Sequence, residues 1–553
     1  PREKNLSRPY HIFRECFAVK RIQKLLVIIL AAIFVVAGCS SPSTSSSSDE
    51  NNGSNQQQQQ KGEKVLYYAI NGEISKFDPH VAVAQQDFTV LSQIWNTLVR
   101  FPNGTIDVTR IEGDLEKKWE HNEDATEWTF YLRKGVQWHR GYGEFTAEDV
   151  KFSFERVLDP ATGSSTRVDY EHIEEIEIID PYTVKFHLSR PDPNFLLGLV
   201  NAGTGAWIVS KKAVEEGKTE IGTGPFMFED YRSKDGATLV KNPDYFRGEP
   251  KLDKIVYKII TDPTAIEVAL TKGELHFARM SGDPLIWEKY QQNDAFIVEK
   301  VSPLIAYGLY LNMDAEPLND IRVRQAIAHA IDVETFVESY AKGIGQPMTS
   351  AIASDVFGAA DVGMYEYDPE KAKQLLKEAG YENGLQFPTQ FTSAAKHILD
   401  KMLYVQDQLR QVGIEVPLEQ VDHSVYQANI RNDLNHLVLF AYNRLPHADK
   451  VLSSVFYGPA TVGTPTGSIN FSHYNRSDDL IDAARVETDP EKAKEMYRQI
   501  LQDIKDAYAF VPLVEQYSIN IRRKEVHVGY NNNKVEGTML YNMIIDETTD
   551  LIQ

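Results

Sequence analysis

The spacing of apolar residues along this chain switches repeatedly between two periods. Val65-Leu-Tyr-Tyr-Ala-Ile70 reads as a strand. From Trp128 to Leu132, apolar Trp128, Phe130 and Leu132 alternate with Thr129 and Tyr131, the period-two pattern of a half-buried strand. Tyr182 to Leu188 and Ile255 to Ile260 are further strand-like runs. Helical spacing separates them. After the turn-forming Phe77-Asp78-Pro79-His80, the residues Leu91, Ile94, Trp95 and Leu98 predict a helix. Thr146-Ala-Glu-Asp149 predicts a capping box that opens a helix carrying Val150, Phe154 and Val157. Asp262-Pro263, Asp320, Asp368-Pro369 and Asp489-Pro490 each place an N-cap aspartate before a helical run, three of them with proline at the first helical position. The segment after Asp368 stops at Gly380, and the one after Asp489 puts Ala493, Met496, Ile500, Leu501 and Ile504 on one face. Both of these helices open on the same six residues, Asp-Pro-Glu-Lys-Ala-Lys, but their flanks differ, so the repeat is a shared helix start and not a duplication. Strands and helices alternate throughout, which predicts α/β layers with mixed sheets.

The amino terminus follows a different plan. Lys20, Arg21 and Lys24 precede an apolar run from Leu25 to Val36, and Ala37, Gly38 and Cys39 follow. This is the layout of a signal peptide, and about 20 apolar residues, more than are present, are needed to cross a bilayer as a helix. Val36-Ala-Gly-Cys39 resembles a lipobox, which marks Cys39 for lipidation after cleavage. Ser40 to Gln60 is rich in Ser, Asn and Gln and reads as a flexible tether. The first Met is Met227, and Val19-Lys-Arg-Ile22 would serve as a start at an alternative codon, so Pro1 to Ala18 read as translated upstream sequence.

Charge narrows the partners. The chain has 553 residues and a formal net charge of -21. The first 38 residues carry seven basic and two acidic side chains, so the remainder holds about -26, which disfavours nucleic acid and anionic lipid headgroups. The only cysteines are Cys16 and Cys39, which leaves the part after Glu63 without disulfides or cysteine metal ligands. Catalytic signatures are missing: there is no His-Glu-x-x-His, no phosphate-binding Gly-x-x-x-x-Gly-Lys loop and no Gly-x-Ser-x-Gly elbow. Gly222-Thr-Gly224-Pro225-Phe226 contains one Gly-x-Gly, followed by proline and an aromatic residue instead of a helix start. The histidines form no helical pairs, and Asp478-Asp479 reads as a solvated cap.

One stretch ties these features to a family. Leu115-Glu-Lys-Lys-Trp119, Trp128 to Val136, Trp138-His139 and Phe145-Thr-Ala-Glu-Asp-Val-Lys-Phe-Ser-Phe-Glu-Arg156 resemble the signature region of the family 5 extracellular solute-binding proteins, the oligopeptide, dipeptide and nickel binders of ATP-driven importers. Further matches follow in family order: Ile74 to Pro79, Gly222 to Phe226, Asn242 to Gly248, Leu270 to Glu274, Leu318 to Asp332, Tyr367 to Gly380 and Phe510-Val-Pro-Leu513. The resemblance implies a two-lobed periplasmic-binding-protein-like clamshell with an extra domain on the first lobe. The first lobe would comprise 63–102, 206–300 and 512–553, the extra domain 103–205 and the second lobe 301–511, with crossover strands near Val301 and Leu513 as the hinge. It also implies a monomer without cofactor or catalytic residues. Such a protein would stand lipid-anchored on the outer face of the bacterial cytoplasmic membrane and deliver a small solute or short peptide to an importer permease.

The sequence departs from the peptide-binding pattern where the ligand is held. Relatives of that kind meet the peptide amine with an aspartate at the end of a second-lobe strand. Here Ala441 or Tyr442 occupies that place, and Arg444 brings a cation close by. Val83 falls where some oligopeptide binders carry a glutamate. The ligand-binding candidates are Val83 and Gln85 from the first lobe and Phe440, Tyr442, Asn443, Arg444, His447 and Asp449 from the second. Asp449 is a substitute partner for an amine. Pro446-His447 resembles a pair in nickel-binding relatives, against the plainer reading of a histidine at a helix start. Peptides, a nickel or metal-chelate ligand, and an anionic or sugar-like solute all remain open, with an enzyme as the alternative from another class.

Overall fold

The computed structural model describes residues 62–82, 84–105, 107–200, 205–280, 282–442, 447–529 and 545–552. The leader, Cys39 and the tether lie outside them, as do Val83, Asn443 and Arg444. In chain order the principal strands are β1 (Val65–Ile70), β2 (Glu116–His121), β3 (Glu127–Leu132), β4 (Ile173–Asp180), β5 (Thr183–Leu188), β6 (Phe226–Arg232), β7 (Gly236–Lys241), β8 (Lys254–Ile259), β9 (Phe277–Met280), β10 (Phe296–Leu311), β11 (Gly345–Pro347), β12 (Gln390–Ser393), β13 (Leu418–Val421), β14 (Leu437–Tyr442) and β15 (Phe510–Arg523). The helices used below are α1 (Gln85–Leu91), α2 (Ala147–Leu158), α3 (Pro263–Lys272), α4 (Pro284–Gln291), α5 (Pro369–Glu378), α6 (Lys396–Gln411), α7 (His423–Arg431), α8 (Ala448–Val455) and α9 (Pro490–Asp506).

Nine of the described strands form one mixed sheet in the order β14-β10-β15-β9-β1-β8-β7-β6, with β11 also paired to β15. β10 and β15 are its long members, at 16 and 14 residues. Phe296–Val301 pair with Ser518–Arg523, and Ile305–Tyr310 pair with Phe510–Gln516, with a break in register between Val301 and Ile305 and a further shift between Tyr307 and Gly308. On one side of the break β15 pairs with β9, while on the other β10 pairs with β14 and β15 with β11. Among the described strands, β10 and β15 alone run through both halves. The result is a two-lobed clamshell with mixed sheets.

The extra domain on the first lobe is a four-stranded antiparallel sheet in the order β2-β3-β5-β4. Trp128, Phe130 and Leu132 are buried as their alternation requires, and Phe154 of α2 packs edge-on against Phe186 at 5.1 Å. Asp149 accepts the Thr146 backbone N–H at 3.0 Å, the reciprocal half of the predicted capping box, and also the Lys211 N–H at 3.1 Å. The aspartate caps of α3, α5 and α9 form as expected on Thr264, Lys371 and Glu491.

The signature motifs lock the extra domain to the first lobe. Arg156 forks onto Asp78 and also donates to Nδ1 of His80 at 2.9 Å, while His80 Nε2 donates to the Trp207 carbonyl at 2.8 Å. His139 accepts the Gly222 N–H at Nδ1 and donates from Nε2 to the Gly224 carbonyl at 2.9 Å. The Gly-x-Gly is a backbone crossing. A Cβ at Gly222 would lie 1.9 Å from the Ile94 carbonyl oxygen, and one at Gly224 would lie 2.5 Å from that of Gln93. The same crossing corrects the helix expected through Leu98. α1 stops at Leu91 because the Gln93 and Ile94 carbonyls accept from Phe226 and Gly224 across the chain.

Candidate functional site

Ligands of open α/β sheets bind beyond the carboxyl ends of the strands. In the second lobe β12 and β13 run parallel, and each leads directly into a helix, α6 and α7. β14 enters beside β12: the Gln390 side chain accepts the His436 and Leu437 N–H groups at 2.7 and 3.0 Å, and Asn435 donates to the Phe391 carbonyl at 2.9 Å. At its other end β14 meets β10 beside the break, where Ala306 pairs with Tyr442 and Tyr307 with Ala441.

The two faces of the sheet at this edge differ. On the face of Tyr442, the Glu515 carboxylate accepts the Ser354 N–H at 2.9 Å, the Ser354 hydroxyl at 2.7 Å and the Gln346 amide at 2.9 Å. Burial pushes this carboxyl up, against the lowering effect of those hydrogen bonds. On the face of Tyr307, α6 supplies a cationic edge. The Lys401 ammonium sits 4.6 Å from the centre of the Tyr307 ring and donates to the His397 carbonyl at 3.0 Å. The exposed His397 ring lies 5.7 Å from that of His423, whose Nδ1 is 3.0 Å from the Ser393 hydroxyl. Lys401 is 4% exposed, and burial lowers its pKa to about 8.

The residues singled out from sequence fall in several environments. Gln85 is exposed in the first turn of α1. Phe440 is half-buried and meets Phe471 edge-on at 5.0 Å. Tyr442 is buried, and its hydroxyl accepts the Ala353 N–H at 2.9 Å and donates to the Ala351 carbonyl at 3.3 Å. His447 is the N-cap of α8, accepting the Asp449 N–H at 3.2 Å, with its ring stacked on Phe357. Burial lowers its pKa to about 4, so it is neutral. Asp449 is ion-paired with Arg485 at 3.0 Å and accepts from the Ser453 hydroxyl at 2.8 Å. Despite its burial, that arginine holds the carboxyl below its ordinary range. The polar atoms of Tyr442, His447 and Asp449 are thus engaged inside the lobe. Among the described residues no three His, Cys, Asp or Glu side chains gather as metal ligands.

Sequence reasoning passed over Lys401, His397 and His423. Lys401 sits among Ile398, Met402 and Val405, the buried face of an ordinary amphipathic helix. A lysine on that face was the available signal, because lysine is rarely buried without a partner.

The model for bacterial extracellular solute-binding proteins, family 5 (middle), matches residues 110–445. The dipeptide-binding protein of Escherichia coli K12 is 30% identical over 477 residues, 79% of this chain and 86% of that protein. Among solved structures, the binding protein MoaA of A. tumefaciens R10 in complex with mannopinic acid superposes with a TM-score of 0.78 at 33% identity, covering 89% of this chain and all of that one. The Helicobacter pylori binding protein DppA in complex with the peptide STSA gives 0.74 at 28% identity, covering 88% and 98%.

Proposed function

The chain belongs to the family 5 extracellular solute-binding proteins, the capture subunits of ATP-driven importers, and on that premise we propose how it holds its solute and of what class that solute is. The observation that carries the reading is the break in register between Val301 and Ile305 in the two long strands that run through both halves. A few residues there can absorb the rotation of one lobe against the other while the flanking ladders stay intact. A solute that touches both lobes stabilises the closed form and so shifts the population toward the state the permease accepts. The solute leaves chemically unchanged.

The solute class is a small molecule bearing a carboxylate. Ala441 and Tyr442 supply no acid for a peptide amine, and Asp449 is neutralised by Arg485. The α6 edge offers cations instead, and Arg444 follows two residues after β14 as a further candidate contact. Likeness to a protein solved with mannopinic acid supports a non-peptide acid, and likeness to one solved with a peptide keeps a peptide carboxylate in view.

Native mass spectrometry of the freshly purified protein tests this reading. The expected result is one small acidic adduct that dissociates intact on denaturation. A neutral adduct would contradict the class, and a chemically converted one would contradict the binding role. Cys39 is the proposed lipid anchor, since a hydrophilic tether alone has no membrane affinity. Cys39→Ser should release the protein into the medium, and unchanged membrane retention would remove the anchor.

A further inference from the structure

Buried cations in this fold are normally matched. Arg156 is paired with Asp78, Arg485 with Asp449 and Arg247 with Asp114. Arg324, which has no carboxylate partner among the described residues, gives hydrogen bonds to the carbonyls of Ala507, Leu318 and Asn319. Lys401 departs from this pattern. Its ammonium can donate three hydrogen bonds, yet among the described residues it gives one, to the His397 carbonyl, and otherwise rests over the Tyr307 ring. The adjacent Asp400 is ion-paired with Lys396 and acts on Lys401 through its charge alone, and no described carboxylate forms an ion pair with Lys401. A buried ammonium without a directly paired carboxylate is costly unless something else supplies the contact.

Its position indicates what does. A lysine on a helix points back toward the helix N-terminus, here toward the exposed first turn with Lys396 and His397. That turn has no side-chain cap, and a 16-residue helix places its positive end there. Lys396 also feels the charge of Asp283, the N-cap of α4. Tyr307, beneath the ammonium, lies two residues past Ile305, where the ladder resumes after the break.

We propose that Lys401 is the residue that reads the anionic group of the solute, its ammonium meeting a carboxylate at the α6 edge of the cleft, with His397 and His423 as the flanking imidazoles. The inference rests on the carboxylate-bearing class proposed above and names the group that selects it. Burial lowers the Lys401 pKa to about 8, and a carboxylate beside the ammonium would raise it again. The titratable groups around it are Asp400, Lys396 and His397 from α6 and Tyr307 from β10, with His423 of α7 beside His397. The same carboxylate chemistry can come from a peptide C-terminus or from a sugar acid.

The experiment is calorimetric titration of the full chain and of Lys401→Met and Lys401→Arg with three probes: mannopinic acid, the dipeptide Met-Leu and its C-terminal amide. Thermal melts of each ligand-free protein accompany the titrations. Wild type should bind one of the two acids, and the acid bound tells which source applies. Lys401→Met should weaken that acid by about 30-fold or more and Lys401→Arg by less, and the amide should bind wild type at least that much more weakly than Met-Leu where the dipeptide is the ligand. Lys401→Met should also melt higher than wild type, because it removes a buried charge without a partner. A structural lysine would give the opposite pattern, a lower melting temperature with affinity intact. Binding of an acid that Lys401→Met leaves unchanged overturns the role of Lys401 and leaves the solute class standing. Binding of the amide as tightly as Met-Leu overturns the reading of a carboxylate by Lys401. Binding of neither acid overturns both the role and the class.

Discussion

Arg156 donates from both terminal guanidinium nitrogens to the carboxylate of Asp78, at 2.6 and 3.0 Å, across 78 residues of sequence. Both side chains are largely buried, at 16% and 13% exposure, so this pair fastens α2 to the first lobe. Truncating one partner leaves the other charge buried and alone. Arg156→Ala should lower the stability to urea by about 3–5 kcal/mol, and Arg156→Lys should recover only part of it because lysine cannot fork. An Arg156→Ala protein as stable as wild type would reduce the pair to a surface contact.

Three buried imidazoles set the acid limit of the fold. Burial lowers the pKa of His80, His139 and His447 to about 4 from 6.5. In each, Nδ1 accepts a hydrogen bond, from Arg156, the Gly222 N–H and the Asp449 N–H, and a proton there would set donor against donor. The unfolded chain therefore binds more protons than the folded one between these values. The stabilisation is complete above pH 6.5 and is lost as pH falls toward 4, on the order of 3 kcal/mol for each group. Melting temperature should drop steeply over that window, and His139→Gln should make the drop shallower. A flat profile from pH 7 to 4.5 would mean that these rings stay solvated.

Glu116 acts with the opposite sign. It is fully buried, neither carboxyl oxygen has a hydrogen-bond partner among the described residues, and burial raises its pKa to about 7. Here the folded state holds the proton between 4.5 and 7, so this stabilisation is present below pH 4.5 and lost as pH rises through 7. Glu116→Gln keeps the shape and removes the titration. It should stabilise the protein at pH 8 relative to its effect at pH 5, on the order of 2–3 kcal/mol. Equal effects at the two pH values would show that the carboxyl is ionised throughout.

The local elements were legible wherever a chemical signal stood next to a period. The aspartates before α3, α5 and α9 cap those helices, and the Trp128 to Leu132 alternation is β3. The family motifs were legible as a fold but opaque as contacts, because Arg156 and Asp78, or His139 and Gly224, are joined only by the tertiary path. α1 ended early for the same reason: the carbonyls of Gln93 and Ile94 serve a strand more than 120 residues away. Crossover strands were expected near Val301 and Leu513, which lie in β10 and β15, and the register between these strands shifts where Val301 and Ile305 face Ser518 and Gln516. For the site, sequence offered the β14 end and its neighbours. Tyr442, His447 and Asp449 proved to be engaged within the lobe, and Lys401, on a face that reads as core, became visible only because no described carboxylate forms an ion pair with it.

Small-angle scattering of the purified chain, first emptied by partial unfolding and refolding and then titrated with the solute identified by native mass spectrometry, tests the central claim of capture by closure about the break between Val301 and Ile305. The account predicts that the radius of gyration falls on saturation and returns when the solute is removed by dialysis. Saturable binding with an unchanged scattering curve would contradict it.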